Sequence, residues 1–155
     1  MINKCIGICL TALASAVPPS AGAADRAGAM KFSSVQIQDA LATSSQGTAT
    51  ATLSTGPDGP KIMAIRRTAN GEPEVHEQLD DIFVVKSGHA RVIVGGTVSG
   101  NRLITPGESR GGTISGGEGF EVGAGDLLWI PAGTPHQVTI PEGGELTYVV
   151  LKRPK

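Results

Sequence analysis

The sequence predicts an all-β protein, a single antiparallel sandwich or barrel with one short N-terminal helix. Short apolar runs of strand length alternate with turn clusters rich in Gly, Pro and Asn, such as the one at 56–60. Helical periodicity is lost after residue 44. The 155 residues include 22 Gly and only 3% aromatic residues, so the core must be built from aliphatic side chains on many short strands. This length suits one domain.

The strand predictions follow the apolar runs between the turns. They cover 48–53, 61–68, 74–78, 81–86, 90–94, 120–122, 127–130, 136–140 and 146–151. A turn at Ser87-Gly88 is expected to separate two of them and to leave His89 on the surface. Residues 97–118 contain six Gly and little that could fill a core. We expect a Gly-rich loop there, lying over one mouth of the barrel.

The N-terminal 24 residues have the three regions of a signal peptide. Lys4 gives a positive start, residues 5–17 form an apolar run too short to span a bilayer, and Pro18-Pro19 end it. Small residues follow, and cleavage is expected after Ala23 or Ala24. Both cysteines of the chain lie in this segment, so the mature chain would contain no thiol. The expected location is therefore periplasmic or secreted, with no membrane contact after cleavage.

The remaining chain divides into an arm and a barrel. Residues 25–47 form the N-terminal arm, with a helix predicted at 33–43 because Ser33 and Gln36 fit a capping box. Residues 48–155 form the barrel. The formal net charge of −1 and the lack of a basic patch disfavour nucleic-acid binding.

Two histidines lie among residues that could bind a metal or take part in catalysis. Glu74 and His76 are two residues apart, so on a strand they point to the same face. Asp81 can return to that face after a turn, and His136 opens a later strand. Two imidazoles and one or two carboxylates with open positions suit Fe(II), and the same set also accepts Mn, Ni, Co or Zn.

The stretch GDLLWIPAGTPH carries a more specific signal. Gly125, Pro131, Gly133 and His136 resemble the second cupin motif, in which Gly, Pro, Gly and His recur at this spacing. The usual Asn four residues after the His is Ile140 here.

The first cupin motif is present in spacing but altered in chemistry. Counting back from Gly88, six residues lead to Asp81 where a Glu is usual, and four more lead to His76. Glu74 stands where the first His of the motif belongs. Because Asp is one methylene shorter than Glu, Asp80 is the alternative to Asp81.

The resemblance implies a small antiparallel jelly-roll (cupin) barrel with its site inside, covering roughly residues 61–151. It implies a divalent metal, Fe, Mn, Ni or Zn, held by His76, Asp81, His136 and Glu74. If Glu74 is not a ligand, it is placed to act as a general base. The resemblance also implies a homodimer.

Three functions remain open at this point, because the cupin fold hosts many reactions. The first is a metal-dependent enzyme of dioxygenase, isomerase or lyase type acting on a small polar metabolite. The second is a metal-free binding module for a sugar or an organic acid. The third is a structural barrel without a ligand.

Overall fold

A computed structural model describes residues 29–42, 47–54 and 61–155. The predicted signal peptide at 1–24 lies outside the described residues. All the described helical and strand segments belong to one compact unit, Phe32–Lys155. No helix in the described part of the chain is long and apolar enough to cross a membrane.

The single described helix, α1 (Ser34–Leu41), begins at the predicted capping box. The Ser33 side chain accepts a hydrogen bond from the Gln36 backbone N–H, and the Gln36 side chain accepts one from the Ser33 N–H. These bonds satisfy backbone donors that lack partners within the first helical turn. Leu41 is buried against Ala49 and Ala64, which anchors the helix on the neighbouring strands.

Twelve strands are described, and they confirm the all-β prediction. They are β1 (Thr48–Ser54), β2 (Lys61–Arg67), β3 (Glu74–His76), β4 (Leu79–Val94), β5 (Thr97–Ser99), β6 (Arg102–Thr105), β7 (Glu108–Arg110), β8 (Thr113–Ser115), β9 (Glu118–Gly123), β10 (Leu127–Ile130), β11 (His136–Thr139) and β12 (Leu146–Pro154).

Strand β4 is the centre of the sheet. Its first half pairs with β12 and β10, and its second half pairs with β9 and β11, all antiparallel. The strand order of the main sheet is β1-β2-β12-β4-β11-β3-β7-β6, and β5 and β8 form a separate ribbon. The sheet encloses an aliphatic core whose largest fully buried side chains are Tyr148, Ile130, Leu146, Val92 and Val150.

The structure replaces the predicted turn at Ser87-Gly88 with a bulge inside β4. The register with β12 shifts between Thr147 and Tyr148, so the strand continues through this point. Gly88 has φ of +79°, and a Cβ there would overlap the carbonyl oxygen of Glu145. The glycine therefore does break the regular strand geometry, but the chain bends rather than reverses. His89 is exposed, as predicted.

The Gly-rich segment 97–118 also differs from the expected loop. It contains the short strands β5 to β8 separated by glycines with positive φ. β7 pairs with β3, which brings this segment directly onto the strand that carries Glu74 and His76.

The close approach of Gly88 to Glu145 gives a test of the fold. Gly88→Ala should lower the free energy of unfolding by more than about 3 kcal/mol, because it adds a clash with backbone to the cost of a left-handed conformation. Gly143→Ala is the matched control, since Gly143 has φ of +70° with nothing within 4 Å of an added Cβ. We expect it to lose only about 1 kcal/mol. Urea unfolding measures both; equal losses would contradict the close approach at Gly88.

Candidate functional site

Three side chains of the site lie in a row across neighbouring strands. Glu74 on β3 is directly opposite His136 of β11 on one side and Arg110 of β7 on the other. His76 lies two residues further along β3 and therefore on the same face. Strand register alone thus brings together residues that are far apart in the sequence.

His136 is oriented by the turn that precedes it. The Gly133 backbone N–H donates to the carbonyl oxygen of His76 at 2.8 Å, which ties the turn to β3. Nδ1 of His136 lies 3.1 Å from the carbonyl oxygen of Thr134. Because a carbonyl can only accept, Nδ1 carries the proton and Nε2 keeps its lone pair. Burial lowers the pKa of His136, which favours this neutral form.

His76 has the same arrangement with a different partner. Its Nδ1 contacts the Glu108 carboxylate, which comes from the cross-strand neighbour on β7. Its Nε2 is buried and has no hydrogen-bond partner among the described residues. Burial would lower the pKa of His76, but the Glu74, Asp81 and Glu108 carboxylates outweigh this and raise it. The surroundings of Nε2 therefore favour a positive charge at that position.

Glu74 uses its two oxygens differently. Oε1 contacts Nη1 of Arg110 at 2.5 Å and Nη2 of Arg67 at 3.4 Å. Oε2 faces Nε2 of His76 at 3.3 Å. Burial opposes ionisation, but His76, Arg110, His136 and Arg67 outweigh it and lower the pKa of Glu74 to about 2. The side chain is a carboxylate at any ordinary pH, with one oxygen directed at the histidines.

Asp81 is close to both imidazoles but is held by a lysine. Its Oδ2 lies 3.5 Å from Nε2 of His76 and 3.6 Å from Nε2 of His136. Lys152, its direct cross-strand neighbour on β12, donates to both carboxylate oxygens at 2.6 and 2.8 Å. Both oxygens of Asp81 therefore already accept a hydrogen bond from a charged donor.

Asp80 belongs to a different environment. Its Oδ1 accepts from the Ala132 N–H at 2.9 Å and its Oδ2 from Nη2 of Arg153 at 2.5 Å. These two interactions lower its pKa, the backbone hydrogen bond most. Asp80 therefore fastens the turn before His136 and does not join the imidazoles.

The donor set fits a divalent cation. One ligand atom from each of Glu74, His76 and His136 lies within 4.8 Å of the others. Two imidazoles, each of which is neutral when it binds a metal, and one carboxylate are ligands that Fe(II), Mn, Ni and Zn accept. The Nδ1 contacts of both histidines are the outer interactions that fix the ring tautomer in metal sites.

Comparisons with known proteins give structural neighbours only. No protein-family model matches the sequence, and no curated protein matches it. A similar solved structure is TT1209 from Thermus thermophilus, with 16% identity, 81% of this chain and 98% of that chain covered, and a TM-score of 0.58. The cupin domain of Cnp3 from Schizosaccharomyces pombe has 11% identity, covers 71% and 66%, and has a TM-score of 0.53.

A third neighbour is the DMSP lyase DddQ from Ruegeria pomeroyi, with 16% identity and a TM-score of 0.52. The match covers 70% of this chain but only 48% of DddQ, so the chain spans about half the length of that enzyme. The chain has a cupin fold. At these identities the likeness shows the fold alone, and it confirms the jelly-roll barrel that the two motifs predict.

The interior of this cupin fold contains a cavity of about 370 Å³ next to the metal-ligand set. Its lining includes Glu74, Asp81 and His136 together with three cations, Arg67, Arg110 and Lys152. Aliphatic and aromatic side chains form part of the remaining wall, and the rest of it consists of Thr48, Thr50, Asn70, Gly71 and Glu72. The volume lies near the lower end of the range for small-molecule sites.

The residues that surround the predicted ligands were not found from the sequence. Glu108 and Arg110 lie in the segment expected to be a loop, and Lys152 lies at the end of the last strand. One signal was available: Glu108 and Arg110 are two residues apart, as charged residues on one face of a strand would be. Their placement opposite β3 was not readable from the sequence, because it depends on pairing between distant strands.

Proposed function

We propose that this protein binds a divalent metal, Fe, Mn, Ni or Zn, inside its cupin barrel and acts on a small polar metabolite. The ligands are Glu74, His76 and His136. Such an ion with three protein ligands keeps positions open, where it can polarise an oxygen of a bound molecule. The lyase DddQ among the structural neighbours is compatible with an enzymatic role.

The buried Nε2 of His76 is the observation that carries the metal proposal. It makes no hydrogen bond although two carboxylate oxygens lie near it, and a buried polar atom without a hydrogen bond is costly and rare in folded proteins. This atom lies 3.3 Å from Oε2 of Glu74 and close to Nε2 of His136. A cation between these atoms would satisfy all three.

Glu74 is better suited to be a ligand than a general base. A catalytic base works best when its pKa is near the working pH. With a pKa of about 2, Glu74 has little affinity for a proton near neutrality. Its fixed charge and its free Oε2 are the properties of a metal ligand.

The cupin motif implies that Asp81 is a metal ligand, but in this proposal Asp81 lies beside the ion without binding it. Lys152 takes both of its oxygens, whereas Glu74 has one oxygen left free. Asp81 and Lys152 then act as a neutral pair beside the metal, and the position that Asp81 would fill stays open.

Metal analysis of the purified chain without a histidine tag tests the ligand set. His136→Ala should remove the metal, because it deletes one of three protein ligands. Asp81→Asn should keep near-stoichiometric metal, since its Oδ1 can still accept from Lys152 and no ligand is lost. His89→Ala is the matched control, because His89 is exposed and far from the set in strand register.

Two results would contradict these assignments. If Asp81→Asn is folded and loses metal as fully as His136→Ala, Asp81 is a ligand and the three-ligand set is wrong. If the wild-type chain purifies without metal and rejects added Fe, Mn, Ni and Zn, the metal proposal fails. The metal-free binding module then becomes the better assignment, and one feature favours it: both carboxylates already have cationic partners.

We also propose that the chain is exported. The support is the N-terminal pattern of Lys4, the apolar run at 5–17 and the small residues before Asp25. Expression in a Gram-negative host should give a periplasmic product whose first residue is Ala24 or Asp25, as determined by intact-mass spectrometry. A cytoplasmic product that retains residues 1–24 would contradict export.

We further propose a homodimer. On β10, Leu127 and Trp129 are 66% and 57% exposed, and they lie beside the half-buried Val84 and Ile82 of β4. An adjacent set of large apolar side chains on an outer face is typical of an interface. Light scattering should give twice the chain mass for the wild type. The double variant Leu127→Ser, Trp129→Ser should give the mass of a single chain. A monomeric wild type would contradict the proposal.

A further inference from the structure

With a divalent cation bound at the proposed site, the cavity beside it would have an excess of positive charge. Its lining contains three cations, Arg67, Arg110 and Lys152. The carboxylates on the side of the metal ligands are Glu74 and Asp81. A further lining carboxylate, Glu72, is bound at both oxygens by Arg102, at 3.2 and 2.8 Å. Even when Glu108 behind His76 is counted, a divalent cation leaves the cavity positively charged.

Two of these cations have donors to spare. Nζ of Lys152 gives two of its three donors to Asp81. Arg110 touches Glu74 through Nη1 alone among the described residues, and its side chain keeps 39% of its surface exposed. Nε and Nη2 of Arg110 therefore have no hydrogen bond among the described residues, and Arg110 is part of the cavity lining.

Arg110 is the better of the two for binding an anion. A guanidinium presents parallel donors that match both oxygens of a carboxylate, whereas an ammonium acts as a point charge. Lys152 is also more restricted, because it is buried and bound twice to Asp81. Lys152 contributes positive potential to the cavity, and Arg110 contributes the hydrogen bonds to the anion.

We propose that the ligand of this site is a small organic acid whose carboxylate is bound by Arg110. This inference rests on the proposed function, and it chooses the acid over the neutral sugar that the sequence leaves open. A neutral ligand would leave the positive charge of the metal-loaded cavity without compensation. Fixed positive groups in such a cavity also attract anions during encounter.

Matched pairs of acids and amides test this proposal on the metal-loaded protein. Acetate, malonate and succinate are compared with acetamide, malonamide and succinamide by calorimetry, together with glucose as a neutral sugar. We expect at least one acid to bind at millimolar concentration or below, with its amide at least about tenfold weaker. Arg110→Gln should weaken the acid by at least about tenfold, and Arg110→Lys by less.

Arg91→Gln is the matched control. Arg91 is an exposed arginine on β4 that pairs with Glu121 and does not line the cavity. Its loss should leave acid binding unchanged. The proposal is overturned if no acid binds, if amides or glucose bind as well as the acids, or if Arg110→Gln binds the acid like the wild type.

Metal content is measured in the same samples, so the two proposals fail separately. If the protein binds metal but does not prefer acids, the metal proposal stands and the acid proposal fails. If an acid binds to metal-free protein and its binding depends on Arg110, the acid proposal stands and the metal proposal fails. Arg110→Gln that retains metal but loses acid excludes an indirect effect through Glu74.

Discussion

The pairing of buried charges is the constraint on which the rest of this structure depends. An isolated charge in a barrel interior would cost several kcal/mol, so each carboxylate must have a cation within reach. Strand register supplies these pairs directly: Arg110 is opposite Glu74, and Lys152 is opposite Asp81. A slip of one residue in β7 or β12 would turn the cation to the other face of the sheet and leave its carboxylate unpaired. Register and site electrostatics are therefore one constraint.

The two carboxylates meet that constraint in different ways, and the difference defines the site. Glu74 is neutralised at one oxygen and directs the other toward the imidazoles, whereas Asp81 is neutralised at both. The histidines are similarly committed at Nδ1 and open at Nε2. Glu74 and the two histidines thus each turn one uncommitted atom toward a common point. In a site built this way, hydrogen bonds and ion pairs orient the side chains before any ligand arrives, which is what a metal-ligand set needs.

Much of the fold and part of the site could be predicted from the sequence. The helix start, the strand positions and the turn before His136 depend on local chemistry: a capping box, alternating apolar residues and the fixed geometry of Pro and Gly. Gly88 shows the limit of such local patterns, because a glycine with positive φ serves a turn or a bulge equally well. Arg110 and Lys152 were missed for a different reason. Their roles come from pairing between strands distant in sequence, which no local pattern encodes.

Different strands of the barrel carry the proposed metal ligands and the charged residues around them. β3 and β11 carry the proposed ligands, and their positions follow from the two cupin motifs. β7 and β12 carry the charges around these ligands, and their sequences lie outside the motifs. Because Glu108 and Arg110 are two residues apart on β7, the same short strand orients His76 and places the Arg110 guanidinium, which also contacts Glu74, in the cavity lining. Substitutions at Arg110 could change which molecule is accepted while the ligand atoms stay in place. If Arg110 binds the ligand as proposed, the Gly-rich segment determines ligand choice in this chain more than the motifs do.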